Sequence, residues 1–165
     1  MILQVRLATA ADAGPACDVL HRSIVECCTD DHRGDATALN AWLRNKTPQN
    51  VRSWILSKDH HAVTALVDGR EAGFALSSKA GEVLLCYLVP EVRFTGVGKA
   101  MLAAIEAQAR IDGIHTLRLE STGTARSFYL RNGFVESGRP LAAFGMESYP
   151  MEKALTGAPA GTGLC

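Results

Sequence analysis

Apolar residues recur at helical spacing along the first part of the chain. Ala16, Val19, Leu20, Ile24 and Cys27 fall on one face of a helix, with polar residues between them. Thr9, with Asp12 three residues on, supplies a capping-box-like start, and Pro15 suits the first turn. Ahead of that cap, "VRLATAAD" predicts a short strand. "CTDDHRGD" then reads as a polar break, followed by two shorter helices in "ATALNAWLRN" and "PQNVRSWILSKD", the second opened by Pro48.

From His60 onward the pattern becomes strand-like. "HAVTALV", "EAGFALSS" and "EVLLCYLV" are joined by Asp68-Gly69 and by Lys79 to Gly81, which are hairpin signals. An antiparallel meander is expected. A helix from about Val97 to Ile111, closed by Asp112-Gly113, leads to the strand "HTLRLE". The helix "TARSFYLRN" follows, closed by Gly133, and "FVESG" and "MESYPMEKAL" read as final strands. Strand, helix and strand after a meander imply a mixed sheet with a right-handed crossover. The fold class is α/β of the α+β type, with flanking helices. Residues 1–155 form one expected domain, and 156–165 ("TGAPAGTGLC") a flexible tail.

Composition narrows this picture. The 165 residues are 47% apolar and 21% charged, an ordinary globular balance. Net charge is zero, so nucleic acid is not expected as the main partner and any anion site has to be local. "MILQVRLATAADAG" has no long apolar core of a secretion signal, and no apolar run approaches the ~20 residues of a membrane span. Five cysteines, an odd number with Cys27 and Cys28 adjacent, read as reduced thiols in a cytoplasmic protein. Cys27, Cys28 and His32 lack the spacing of a zinc site, so no metal is expected.

The chemistry begins at "RFTGVGKA", where a strand hands over to a helix. Gly96 and Gly98 with Arg93 upstream give R-x-x-G-x-G. A Walker A loop would need Ser or Thr after Lys99, where Ala100 stands, and a dinucleotide fingerprint would need Gly at Met101. What survives is a nest of N–H groups from about Thr95 to Ala100, suited to a pyrophosphate, with Arg93 and Lys99 adding charge. A plain strand-to-helix turn is the competing reading of this segment alone.

The second half-motif is "ARSFYLRNGF", with Ala125 and Tyr129 one turn apart before a Gly-Phe exit. Taken in order, "RFTGVG" and "ARSFYLRNGF" resemble the two motifs of the GNAT superfamily of acyl-CoA-dependent N-acyltransferases, over roughly residues 3–155. That resemblance implies a parallel pair splayed by a bulge in "EVLLCYLV", with the acyl-CoA arm in the gap. The arm would pair with backbone around Tyr87, Leu88 and Val89, and an N–H near Leu88 or Val89 would polarise the thioester carbonyl. The pyrophosphate would lie on Thr95, Gly96, Val97, Gly98 and Lys99, flanked by Arg93, Phe94 and Ala100. Ala125 and Thr122 would contact the arm; many family members carry Asn where Thr122 stands.

Tyr129 is implied as the general acid for the departing sulfur. Glu82 and Glu120 are candidates for the general base, each also readable as a solvated surface group. The acceptor side is implied in "SIVECCTDDHRGD", with Asp30, Asp31 and His32, and in "RPLAAFGMES", with Phe144 and Met146; Cys86 of "EVLLCYLV" is a further substrate-side candidate, also readable as a buried inert thiol. The function expected is transfer of an acetyl group from acetyl-CoA to a primary amine by direct attack in a ternary complex. Two alternatives stand: a non-catalytic CoA-binding module, and action on aminoacyl-tRNA, for which Arg118, Arg126, Arg131 and Arg139 would have to cluster. The resemblance leaves a homodimer open.

Overall fold

The fold comes from a computed structural model, which describes residues 1–143 and 145–155. Phe144 and the expected tail therefore lie outside the described residues. The strands are β1 (Leu3–Leu7), β2 (His60–Val67), β3 (Arg70–Ser78), β4 (Glu82–Leu88), β5 (Thr116–Thr122), β6 (Val135–Glu136), β7 (Leu141–Ala143) and β8 (Met146–Ala154). The helices are α1 (Ala13–Arg22), α2 (Thr29–His32), α3 (Ala36–Leu43), α4 (Pro48–Leu56), α5 (Val97–Ile111) and α6 (Arg126–Arg131).

The strands make one sheet in the order β1-β2-β3-β4-β5-β8-β6, with β7 also on β8. All neighbours are antiparallel except β4 and β5, which run parallel because α5 carries the chain across between them. The meander turns as its residues dictate: Asp68 and Gly69 both take positive φ, 51° and 81°, the geometry of a two-residue hairpin.

The first helix begins as the capping pattern requires. The Asp12 carboxylate accepts from the Thr9 backbone N–H at 2.7 Å and also from Arg6 at 2.8 Å. Ala16, Val19, Leu20 and Ile24 are buried, so the predicted apolar face is the face that packs. Asp35 and Thr47 cap α3 and α4, accepting from Ala38 and Asn50 N–H. α1 and α4 cover one face of the meander, around Phe74, Leu76 and Leu20. α5 covers the other through Val97, Met101, Leu102 and Ile105. A fully buried side chain such as Phe74 or Leu102 contributes roughly 2–3 kcal/mol by leaving water.

Two expectations need correction. "CTDDHRGD" is no simple break: the helix widens into a π-helical turn over Ser23–Cys27 and resumes as α2, burying Cys28 and His32. "RPLAAFGMES" contains β7, whose three residues pair with Met146 to Ser148 of β8.

Candidate active site

The site starts from an interrupted ladder. β4 and β5 share only two register partners, Glu82 with Arg118 and Val83 with Leu119, closed by Arg118 N–H donating to the Gly81 carbonyl at 2.9 Å. On its other side β4 shifts register against β3 between Leu76 and Ser77, which places an extra residue at Leu84. Beyond that bulge the two parallel strands diverge, as the family resemblance implied.

Backbone alternation then decides what faces the gap. Val89 N–H donates to the Ala72 carbonyl at 2.9 Å, so Val89 and, two residues back, Tyr87 direct their hydrogen bonds at β3. The residues between, Cys86 and Leu88, turn their backbone N–H and C=O toward β5, which has moved away. Of the two carbonyl-polarising donors expected, Val89 is excluded because its N–H is already bonded. Leu88 is left.

A cavity of about 830 Å³ occupies the gap, and it gathers most of the predicted cofactor residues: Tyr87, Leu88, Arg93, Phe94, Gly96, Gly98, Lys99, Thr122, Ala125 and Tyr129. Gly96 caps α5 at φ +93°, a left-handed conformation that glycine adopts without strain, and a Cβ there would meet nothing within 4 Å. The space over the first turn of α5 is thus open to a ligand, and the unpaired N–H groups of that turn face it. Gly98 is needed for a different reason: a Cβ would lie 3.2 Å from the Phe128 ring. Thr95 and Val97 take no side-chain part in the lining. The Thr95 hydroxyl donates to the Val92 carbonyl at 2.5 Å and pins the loop, while Val97 is fully buried. Ala100 N–H is bonded to the Gly96 carbonyl, so the free donors end at Lys99.

At the inner end stands Tyr129, 6% exposed, packed edge-on against Phe128 and Phe134. Its hydroxyl neighbours the Cys86 thiol. Burial holds the phenol well above its ordinary value of 10.0, with Cys86 and Tyr87 adding to the effect. Burial likewise pushes the Cys86 thiol up to about 11, with the Tyr129 hydroxyl opposing the rise. The Thr122 hydroxyl accepts from Ala125 N–H at 3.1 Å, so the residue standing in place of Asn caps the turn into α6.

The substrate-side candidates divide. Cys86 lines the cavity, joined by Ser23 and Cys27 of the π-helical turn and by Cys28 just after it, which the sequence marked only as a segment on the acceptor side. His32 is buried at 4% exposure, its Nε2 against the Ile24 carbonyl at 3.1 Å and its Nδ1 accepting from Gly34 N–H at 3.0 Å. That pairing makes it a structural pin. Asp31 accepts from the backbone N–H of Gly123 at 2.7 Å and of Thr124 at 3.2 Å, and from the Thr124 hydroxyl. Its oxygens are spent on the loop between β5 and α6. Asp30 is exposed and outside the lining, so neither aspartate of the substrate-side candidates belongs to the cavity lining.

Glu82 sits at the closed end of the splay, exposed and also outside the lining. Glu120 does line the cavity, the one carboxylate among the described residues that do. Ser127 and Asn132, of α6 and its exit, also line the cavity and were passed over in the sequence; Arg131, considered there only for an arginine cluster, joins them.

Solved structures share this fold. A GCN5-related N-acetyltransferase from Rhodopseudomonas palustris superposes with a TM-score of 0.81 at 20% identity, over 94% of this chain and 99% of that one. The PaiA N-acetyltransferase from Thermoplasma acidophilum, in complex with coenzyme A, gives 0.79 at 22% identity, over 93% and 99%. YncA from Salmonella typhimurium with its cofactor acetyl-CoA gives 0.71 at 18%, over 94% and 95%. No curated protein matches the sequence significantly. The fold is the one these solved acetyltransferase structures share. The chain belongs to the GNAT family: the profile described as "Acetyltransferase (GNAT) domain" matches residues 28–155.

Proposed function

We propose that the protein transfers the acetyl group of acetyl-CoA to a primary amine by direct attack in a ternary complex. One observation carries this reading. The diverging β4 edge, the open first turn of α5 and Tyr129 all line a single cavity. An extended arm bearing amides suits the unpaired backbone of Cys86 and Leu88, and a pyrophosphate suits the N–H groups from Gly96 to Lys99, with Arg93 and Lys99 beside them.

Acetyl-CoA supplies the activated acyl group as a thioester. Leu88 N–H is aimed into the gap to hydrogen-bond the acyl oxygen as negative charge gathers on it, a donor worth about 3 kcal/mol of barrier. Glu120 receives a proton from the attacking amine as the N–C bond forms. Tyr129 gives its proton to sulfur as the C–S bond breaks and regains one from solvent. The phenol's high pKa suits this step, because Cys86 shows what the cavity does to a thiol: burial raises it to about 11. A thiolate released into the same cavity is comparably basic, and Tyr129 holds a proton for it at every physiological pH.

The first alternative, a CoA-binding module without catalysis, requires a damaged motif, and Tyr129 with both glycines is present. Action on RNA required a free cluster of arginines. Arg126 is instead paired with Glu136 and stacked 4.7 Å over the Tyr149 ring.

Calorimetric titration with acetyl-CoA, run beside a Gly96→Arg variant, tests the reading. Open space around the Gly96 Cβ leaves the arginine side chain room to fill the nest, while the φ of +93° strains its backbone, so a melting curve checks that the variant is folded. Micromolar binding in the parent, lost in the folded variant, is expected. It would be followed by CoA-thiol release with a panel of amines. Absence of acetyl-CoA binding in the parent sinks the proposal.

A further inference from the structure

Phe94 breaks two rules at once. Its φ is +62°, a left-handed conformation that a bulky residue without a special reason avoids. The residue is 86% exposed, more than any other large apolar residue among the described residues. It gives the core nothing and carries backbone strain, a pairing that persists where function requires it.

The surroundings say what the ring is held for. Phe94 lines the cavity two residues before the Gly96 cap and is exposed, so it adjoins the N–H groups proposed to take the pyrophosphate. The thioester end lies the other way, at Leu88 and Tyr129. The loop is fixed: Arg93 N–H donates to the Pro90 carbonyl at 3.2 Å, and the Thr95 hydroxyl to that of Val92 at 2.5 Å. One face of the ring is occupied by the Arg93 guanidinium, 5.0 Å from the ring centroid. The ring is therefore a rigid, flat, aromatic surface with one face taken by a cation and its remaining surface open to solvent, adjoining a phosphate site.

We infer that Phe94 is a stacking platform for the purine of the CoA nucleotide. This rests on the proposed acetyl-CoA reading and adds a subsite to it: the arm lies in the splay, the pyrophosphate on α5, and the base on the Phe94 ring. Stacking is tolerant of base identity, so the subsite selects for a nucleoside-bearing thioester over one carried on phosphopantetheine alone.

The test compares two ligands, CoA and 4′-phosphopantetheine, which shares the arm and one phosphate but lacks the nucleoside. Dissociation constants are measured for the parent, Phe94→Ala and Phe94→Trp. Alanine should weaken CoA roughly ten- to a hundredfold, leave phosphopantetheine within about twofold, and leave the melting temperature unlowered. Tryptophan should retain CoA binding. Unchanged CoA affinity in Phe94→Ala overturns the inference while leaving the acetyl-CoA reading intact. Equal weakening of both ligands overturns it too, because the residue would then only be holding the loop. A parent that binds neither ligand removes the underlying reading, and this one with it.

Discussion

Asp31→Ala should destabilise the protein well beyond what a surface acid normally costs. The carboxylate spans from α2 to the loop between β5 and α6, more than ninety residues away, and accepts three hydrogen bonds there. Hydrogen bonds to a charged acceptor are each worth about 1.5–3 kcal/mol when sheltered. Asp31 is only half-buried, so water replaces part of each, and a total of roughly 2–4 kcal/mol is expected. For a chain of this size that is a fall in Tm of about 6–12 °C. Gly123→Ala attacks the same contact from the other side, since a Cβ there would lie 2.9 Å from the Asp31 carboxylate oxygen.

Because both changes break one latch, their costs should not add. Urea unfolding of the parent, the two single variants and the double variant measures this, with the double falling short of the sum by at least about 1 kcal/mol. The latch also holds the Thr122–Ala125 turn that leads into Tyr129, so kcat should fall along with stability. A loss below about 0.5 kcal/mol for Asp31→Ala, or simple additivity, would refute the reasoning. It would return Asp31 to the ordinary run of solvated acids.

Tyr129→Phe should lower kcat by roughly 10²–10⁴-fold while acetyl-CoA affinity stays within about twofold, and undiminished turnover would remove the general-acid role. In the parent, the high phenol pKa means no loss of kcat from this group below pH 10. Near the start of α1, Glu71 is pushed up from 4.5 to about 7, by burial first and then by its hydrogen bond with Asp12. A raised folded-state pKa contributes stability that is full below about pH 4.5 and is lost as pH rises through about 7. At this half-exposed site, water screening reduces the effect to on the order of 1 kcal/mol. Urea midpoints should therefore drop between pH 5 and pH 8, and Glu71→Gln should flatten that drop; an identical slope in the variant would assign it elsewhere.

Much of this was readable in the chain because local rules and global packing agree. The glycine-capped helix from Val97 to Ile111 appears with the bounds its periodicity suggested, and the meander turns at Asp68-Gly69 because those residues accept positive φ. The misread positions share a physical cause: their meaning depends on partners far away in sequence. Asp31 looks like a loop acid until Gly123 and Thr124 arrive beside it. His32 looks like a substrate contact until the π-helical turn presents the Ile24 carbonyl to its ring. Glu82 and Glu120 are equivalent as strand residues, and only the register of the parallel pair puts one at the closed end and the other in the cavity. β7 is too short to carry a period of its own; pairing with β8 creates it.

The two-rung parallel junction has a mechanical consequence. It divides the sheet into two plates, β1 to β4 on one side and β5 to β8 on the other, joined along their common edge for only two residues. A crack of that kind concentrates compliance at its tip, here Val83 and Leu119, while the plates themselves stay stiff. An arm lying along Cys86 and Leu88 would act as mortar, stitching the plates together. The amides of those two residues should then exchange with deuterium quickly in the free protein and slowly once the arm is bound. Cohesion between the plates, and with it resistance to unfolding and proteolysis, would rise and fall with the supply of the ligand that fills the crack.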